Sequence, residues 1–262
     1  MAARSADEQH DLSRERFASR AHGYRESVLH AGGPDLDWLV EALAARPGES
    51  ALDVATGGGH VALALARTGA DVTACDLTPE MLDAAGMLLA EHGCEARFVV
   101  AEAAALPFDD ASFDVVTCRI AAHHFPDAAA FFAEAARVLR PGGRFGFQDQ
   151  TLPPEPTSAV LTDAFERLRD PSHNQAYNAE GWTTLIERAG LVVGQSELVD
   201  KLHDFAEWTS RQDCDEETVA RLTQLMADAP EGMRRWLEPE HDGERLVAFR
   251  NRHLVVLARK PG

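Results

Sequence analysis

Basic residues are scarce in this chain: 25 Lys and Arg stand against 43 Asp and Glu in 262 residues, a formal net charge of −18. So acidic a surface repels phosphate backbones and anionic headgroups, which disfavours nucleic-acid and membrane partners and points to a small-molecule substrate. Long apolar runs are missing too, and no segment approaches the ~20 residues that span a bilayer. The opening stretch MAARSADEQHDLSRERFASR is too charged to hold a signal-peptide core, so a cytoplasmic protein is expected. Cys75, Cys94, Cys118 and Cys214 show no C-x-x-C spacing and read as reduced thiols rather than disulfides or metal ligands. Repeats and low-complexity tails are absent. What the chain does have is 45% apolar residues, enough for the core of one large domain, with or without a cap.

Strand-like runs at 51–55, 71–75, 96–100, 113–118 and 144–149 alternate with helical ones, the pattern of an α/β parallel sheet. His60–Arg67 and Pro79–Glu91 read as helices, the second with Thr78 as a candidate cap, Pro79 at its first position and Glu80 at the positive end of its dipole. Gly86 inside it costs ~1 kcal/mol against Ala, so a close neighbour is expected there. Asp127–Leu139 carries Phe132, Ala135, Ala136 and Leu139 on one face and stops at Pro141-Gly142-Gly143. Further on, Thr157–Arg169 and Ala179–Ala189 read as helices, and Leu191–Val199 and His253–Lys260 as strands. Between those strands Phe205, Trp208, Val219, Leu222, Leu225, Met226 and Trp236 recur at mostly helical spacing.

The run Ala51-Leu52-Asp53-Val54-Ala55-Thr56-Gly57-Gly58-Gly59-His60 is a buried strand ending in three glycines and feeding a helix. Glycines at such a corner let backbone N–H groups approach a ligand. Asp76 follows about one βαβ unit later, where a carboxylate can accept both hydroxyls of a ribose. Together they describe a nucleoside-cofactor site. Gly57, Gly59 and Ala62 also fit G-x-G-x-x-G/A, a nicotinamide-type loop, but Asp53 sits inside the strand where such folds usually carry an apolar residue.

Asp53 to Gly59, Asp76, Glu102-Ala103-Ala104-Ala105-Leu106-Pro107-Phe108, Phe113-Asp114-Val115-Val116 and Leu139-Arg140-Pro141-Gly142-Gly143 resemble, in order and spacing, the class I S-adenosylmethionine (SAM)-dependent methyltransferases. The resemblance is nearest to the small-molecule branch with the ubiquinone and menaquinone C-methyltransferases, and runs strongly over 20–150 and weakly over 165–195. Two positions depart: Ala55 replaces the first family glycine, and Glu102, preceded by Ala101, replaces the Asp of a Gly-Asp-Ala triplet.

The resemblance implies a Rossmann-like α/β fold, a seven-stranded, mostly parallel sheet flanked by helices, with 191–199 and 253–260 as its antiparallel end. It divides the chain into an N-terminal helical cover (1–45), a SAM-binding core (46–199), a helical insertion (200–243) and a closing strand (244–262). Asp76 would hold the ribose and Leu77 lie on the adenine; Glu102 would accept from the adenine amino group and the Ala103 backbone donate to the ring. Asp53, Gly57, Gly58 and Gly59 would surround the methionine part, with Arg119 closing it and Tyr24, on a covering helix, donating to its carboxylate.

For the acceptor side, His123 and His124 follow the fourth strand and Asp149 ends the fifth, on the edge where α/β sheets place ligands. An imidazole suits a general base near neutral pH; His173 could line the same side. Adjacent histidines in a helix do not share a face and no partner has metal-site spacing, so no metal is expected. Arg119-Ile120-Ala121-Ala122 replaces the Asp/Asn-Pro-Pro-aromatic segment of nucleobase amino methylases, and no Pro-Cys dipeptide supplies the cysteine of cytosine-C5 enzymes. The expected function is methyl transfer from SAM to an O, N or C atom of a small organic acceptor. An NAD(P)-dependent oxidoreductase and a SAM-binding enzyme that does not methylate, such as a cyclase, stand as alternatives.

Overall fold

The chain reverses its direction of winding once, and that reversal places the site. A computed structural model describes residues 4–21 and 34–262. Strand β1 (Ser50–Val54) pairs in parallel with β2 (Asp71–Asp76), which pairs with β3 (Arg97–Val100). The chain then crosses back, and β4 (Phe113–Arg119) lies on the other side of β1, followed by β5 (Leu139–Leu152). Strands β9 (Arg245–Arg259) and β7 (Val192–Asp204) complete the order β3-β2-β1-β4-β5-β9-β7, with β9 antiparallel to both neighbours. The expected seven-stranded path is therefore present; β6 (Tyr177–Asn178) adds to β5 and β8 (Glu240–Asp242) to β9. Reversal between β1 and β4 opens a crevice at their carboxyl ends, where ligands of such sheets bind.

β1 is buried nearly throughout, as a central parallel strand covered on both faces must be. Helix α1 (Ala6–Ala18) starts in a capping box between Ser5 and Glu8, and α2 (Pro34–Leu43) packs Leu39 and Leu43 on the sheet. Helix α3 (His60–Ala66) follows the glycines, and α4 (Pro79–Glu91) buries Met81, Leu82, Ala84, Ala85, Leu88 and Leu89. Proline opens α4 as expected, but the Thr78 side chain does not cap it; the Thr78 N–H instead donates to Asp76 at 2.9 Å. The neighbour of Gly86 is Phe98, whose ring lies 3.6 Å from where a Cβ would stand. Helix α5 (Ala128–Val138) is capped by Asp127, which accepts from the Ala130 N–H. Its Phe131 and Phe132 pack with Phe145 and Phe147 of β5 and with Trp182 of α7 (Ala179–Arg188). The four cysteines are free; Cys75 and Cys118 are buried.

The C-terminal part differs from the expected division. β7 continues to Asp204 and β9 starts at Arg245, with the ladder unbroken from Asp200↔Arg252 to Asp204↔Ala248. A break at residue 200 would cut this ladder, so the helical segment starts after Asp204. Asp200, Lys201, His203 and Asp204 put polar groups on both faces, and hydropathy alone does not mark such a strand. Helices α8 (Phe205–Ser210), α9 (Glu216–Ala227) and α10 (Glu231–Leu237) share a separate apolar cluster with Phe165 of α6 (Pro156–Arg169) and Phe249 of β9.

Among the described residues no helix is long and apolar enough to cross a membrane.

Candidate active site

A cavity of about 760 Å³ opens at the carboxyl ends of β1 and β4. Its volume lies in the range of small-ligand sites, ~300–1,000 Å³. Of the residues singled out in the sequence, Asp53, Gly57, Gly58, Asp76, Leu77, Glu102, Ala103, Arg119, His123, His124 and His173 line it. Tyr24 lies outside the described residues.

Gly59 does not line the cavity. With φ +87° it caps α3, and a Cβ there would stand 2.7 Å from the Ala85 Cβ, so its bare Cα lets α3 pack against α4. Gly57 faces the other way. At φ +53° an added Cβ meets nothing within 4 Å, and because Gly57 lines the cavity a side chain would fill ligand space. Only its backbone is presented there.

Asp76 fixes this loop from below. One carboxylate oxygen accepts the Gly57 N–H and the other the Thr78 N–H, each at 2.9 Å. Asp53 is buried and accepts from the hydroxyls of Thr56 at 2.7 Å and Thr117 at 2.8 Å. Burial pushes its carboxyl up to about 6, against the downward pull of those hydroxyls. Burial raises Asp76 as well, opposed by the Thr78 and Gly57 N–H groups. Two desolvated carboxylates beside one loop suit a ligand carrying positive charge.

Ala55 and Ile120 follow the central strands in the left-handed region, at φ 53° and 56°. That conformation disfavours L-residues, most of all β-branched ones, and concentrates at ligand sites. At Ala55, where the resembling family carries glycine, a left-handed Ala costs ~1–2 kcal/mol, more than its ~0.4–1 kcal/mol entropic advantage over Gly in the unfolded chain. Ala55→Gly should therefore raise the urea midpoint, by an amount equal to about 0.5–1 kcal/mol. A lower midpoint would mean that the Ala55 methyl makes contacts worth more than the strain.

The strained Ile120 leads into a short 3-10 turn, Ala122–His124, that presents both histidines. His123 Nδ1 lies 2.6 Å from Asp149 Oδ1, and its backbone N–H donates to the other carboxylate oxygen at 3.0 Å. Asp149 therefore orients His123. Burial works to lower the His123 pKa, but the charge and hydrogen bond of Asp149 outweigh it and hold it above the ordinary imidazole value. The His124 ring lies 4.0 Å from that of His123 and donates from Nδ1 to the Ser172 carbonyl. Burial and the His123 charge keep its pKa well below ordinary. Nδ1 of His173 accepts from Gln150 and its Nε2 contacts Asp163 at 2.6 Å, so both ring nitrogens are engaged.

Helix α1 lies over this edge, with His10, Ser13 and Phe17 lining the cavity. Gln9 donates to the Ser172 and His124 carbonyls, Arg16 pairs with Asp170, and His10 Nε2 stands 3.3 Å from Glu102. Arg119 donates to Gln148 at 2.8 Å and Asp35 at 2.7 Å. The sequence reading missed Asp35, His10, Thr56, Thr117, Gln150, Lys201 and His203. Thr56 and Thr117 follow strand positions already marked; Asp35 and Lys201 meet the site only through tertiary packing. Among the described residues no group of three or more His, Cys, Asp or Glu is arranged to hold a metal.

Residues 52–147 match the model of a methyltransferase domain. The uncharacterized methyltransferase YcgJ of Bacillus subtilis is 37% identical over 171 residues, spanning 65% of this chain and 68% of that protein. A demethylmenaquinone methyltransferase from Thermus thermophilus is 39% identical over 132 residues, 48% of this chain and 59% of that one. A crystal structure of a methyltransferase candidate from Bacillus halodurans superposes with a TM-score of 0.85 at 35% identity, covering 88% of this chain and all of its own.

Proposed function

Because the chain belongs to the methyltransferase-domain family and is a SAM-dependent methyltransferase, we propose that its cavity binds SAM over the Asp53–Gly58 loop and Asp76 and holds a small organic acceptor beside His123. The observation that carries this reading is one continuous cavity lined at once by the glycine loop, Asp76 and the Asp149-oriented imidazole. Bound SAM supplies a methyl group activated by a sulfonium.

The chain's own residues do the rest. Asp76 accepts the ribose hydroxyls while keeping Gly57 in place, and Leu77, Glu102 and Ala103 flank the adenine. Asp53 lies near the methionine part, where the sulfonium and ammonium favour its ionised form. His123 takes the acceptor proton at Nε2, while Asp149 holds Nδ1–H and stabilises the imidazolium that results. His124, kept neutral, adds no second charge. Helix α1 excludes water, and alignment supplies much of the rate. The acidity of the chain favours a small acceptor over nucleic acid.

The test is to incubate the protein with SAM and a small-molecule extract and follow products by mass spectrometry. Metabolites that gain one methyl group, with matching S-adenosylhomocysteine, are expected. Acceptors that change without gaining a methyl group, while SAM stays intact, would favour a non-methylating SAM enzyme.

A further inference from the structure

Beyond Arg119 the cavity continues along the part of the β7–β9 ladder that hydropathy does not mark. Lys201 and His203 are two apart on β7, and Asn251 and His253 two apart on β9, with Lys201 opposite Asn251 and Val199 opposite His253. Alternation puts these four side chains on one face of the sheet, and all four line the cavity. All are largely screened from solvent, His203 at 8% and His253 at 4% exposure.

Their hydrogen bonding is incomplete. His203 Nε2 lies 2.9 Å from Asn251 Oδ1, an acceptor-only atom, so Nε2 carries the ring proton and Nδ1 a bare lone pair. That buried Nδ1 has no hydrogen-bond partner among the described residues, and neither has Nδ1 of His253. Burial lowers the pKa of both rings, His203 to about 4, so both are neutral near pH 7. A buried acceptor without a partner is costly, so a ligand donor there would be recognised strongly.

A cation with donors to spare stands on the same face. Asp35 takes Arg119 at 2.7 Å and Lys201 at 2.9 Å, two cations on one carboxylate, and also accepts from Gln148. The Lys201 ammonium has three donors, and Asp35 accounts for one. The next carboxylate, Asp149, is engaged by His123. A ligand carboxylate beside Lys201 would take donors that Asp35 leaves over.

We propose that Lys201, His203, Asn251 and His253 form the subsite that selects the methyl acceptor, and that it takes a small hydroxylated acid. The hydroxyl donates to His203 Nδ1 and the carboxylate faces Lys201. Two residues along one strand separate these groups by about 6.6 Å at the backbone, comparable to the span of a hydroxyl and a carboxylate across an aromatic ring. The proposal rests on the methyltransferase reading of the cavity and adds a substrate class to it.

The test uses the full chain saturated with S-adenosylhomocysteine and titrated by calorimetry with 4-hydroxybenzoate, benzoate and phenol. The first should bind about tenfold more tightly than either probe lacking one group, the worth of one buried charge-assisted contact. Lys201→Gln should bring 4-hydroxybenzoate down to the level of phenol, and His203→Phe down to that of benzoate. Equal binding of the three probes, no binding by any, or a preference that survives both substitutions would overturn the subsite. The wild-type comparison needs no variant to fold. S-Adenosylhomocysteine affinity, read first, separates the failures: a protein that binds it but ignores the hydroxy acid loses only the subsite, whereas one that does not bind it loses both readings.

Discussion

His123→Gln should lower turnover by about two orders of magnitude while leaving SAM affinity and the fold in place. Glutamine keeps most of the volume and can still meet Asp149, but it has no basic nitrogen for the acceptor proton. The pH profile makes the expectation sharper. A general base works unprotonated, and Asp149 holds the His123 pKa above the ordinary imidazole value. Wild-type turnover should therefore rise with pH through a midpoint above that value, and the glutamine variant should lose this limb. His124→Gln should cost far less, since its Nδ1 is tied to Ser172. Unchanged turnover in His123→Gln would leave alignment as the whole of catalysis.

Asp76→Ala should weaken SAM binding about 30-fold, or ~2 kcal/mol, because the ribose loses a charged acceptor. A carboxylate that only faced a cleft would leave the empty protein unaffected. Asp76 does more, since it accepts the Gly57 and Thr78 N–H groups. The empty variant should therefore lose about 1–2 kcal/mol in urea unfolding, the cost of leaving buried donors unmet. Asp76→Asn separates the effects: one amide oxygen still accepts, so stability recovers in part while affinity stays low. SAM binding at wild-type strength in both variants would remove Asp76 from the ribose role.

The glycine-loop side of the cavity was legible because its geometry is local. Strand, glycines and the acid about twenty residues on are set by the backbone geometry of one βαβ unit, and Asp53, Gly57 and Asp76, marked by spacing and by the resemblance, line one cavity. Gly59 shows the limit of a motif: its position in the triplet suggested ligand contact, yet a helix–helix approach at Ala85 requires it. His123 and Asp149 could be put on one edge from strand order, but that the carboxylate grips the imidazole depends on β4–β5 register and on the turn after Ile120. Lys201 and His203 were invisible, and His253 was marked only as the start of a strand. Their strands carry polar residues on both faces near the sheet edge, so no hydrophobic alternation announces them. Asp35 meets Arg119 and Lys201 only because α2 packs across the sheet.

Calorimetric titration with SAM is the most direct test of the central claim, that this cavity is a SAM site built on the glycine loop and two buried carboxylates. SAM and S-adenosylhomocysteine should bind with one-to-one stoichiometry, raising stability by ~2.7 kcal/mol at a hundredfold excess over Kd, whereas NAD and NADP should give no heat. Asp53, raised to about 6 by burial, adds a sign. Below its folded pKa the carboxyl is protonated, and a cationic ligand must displace that proton. SAM affinity should therefore increase from pH 5 to pH 7, with proton release near pH 6 that shrinks in Asp53→Asn. Binding of NAD with none of SAM would contradict the account outright.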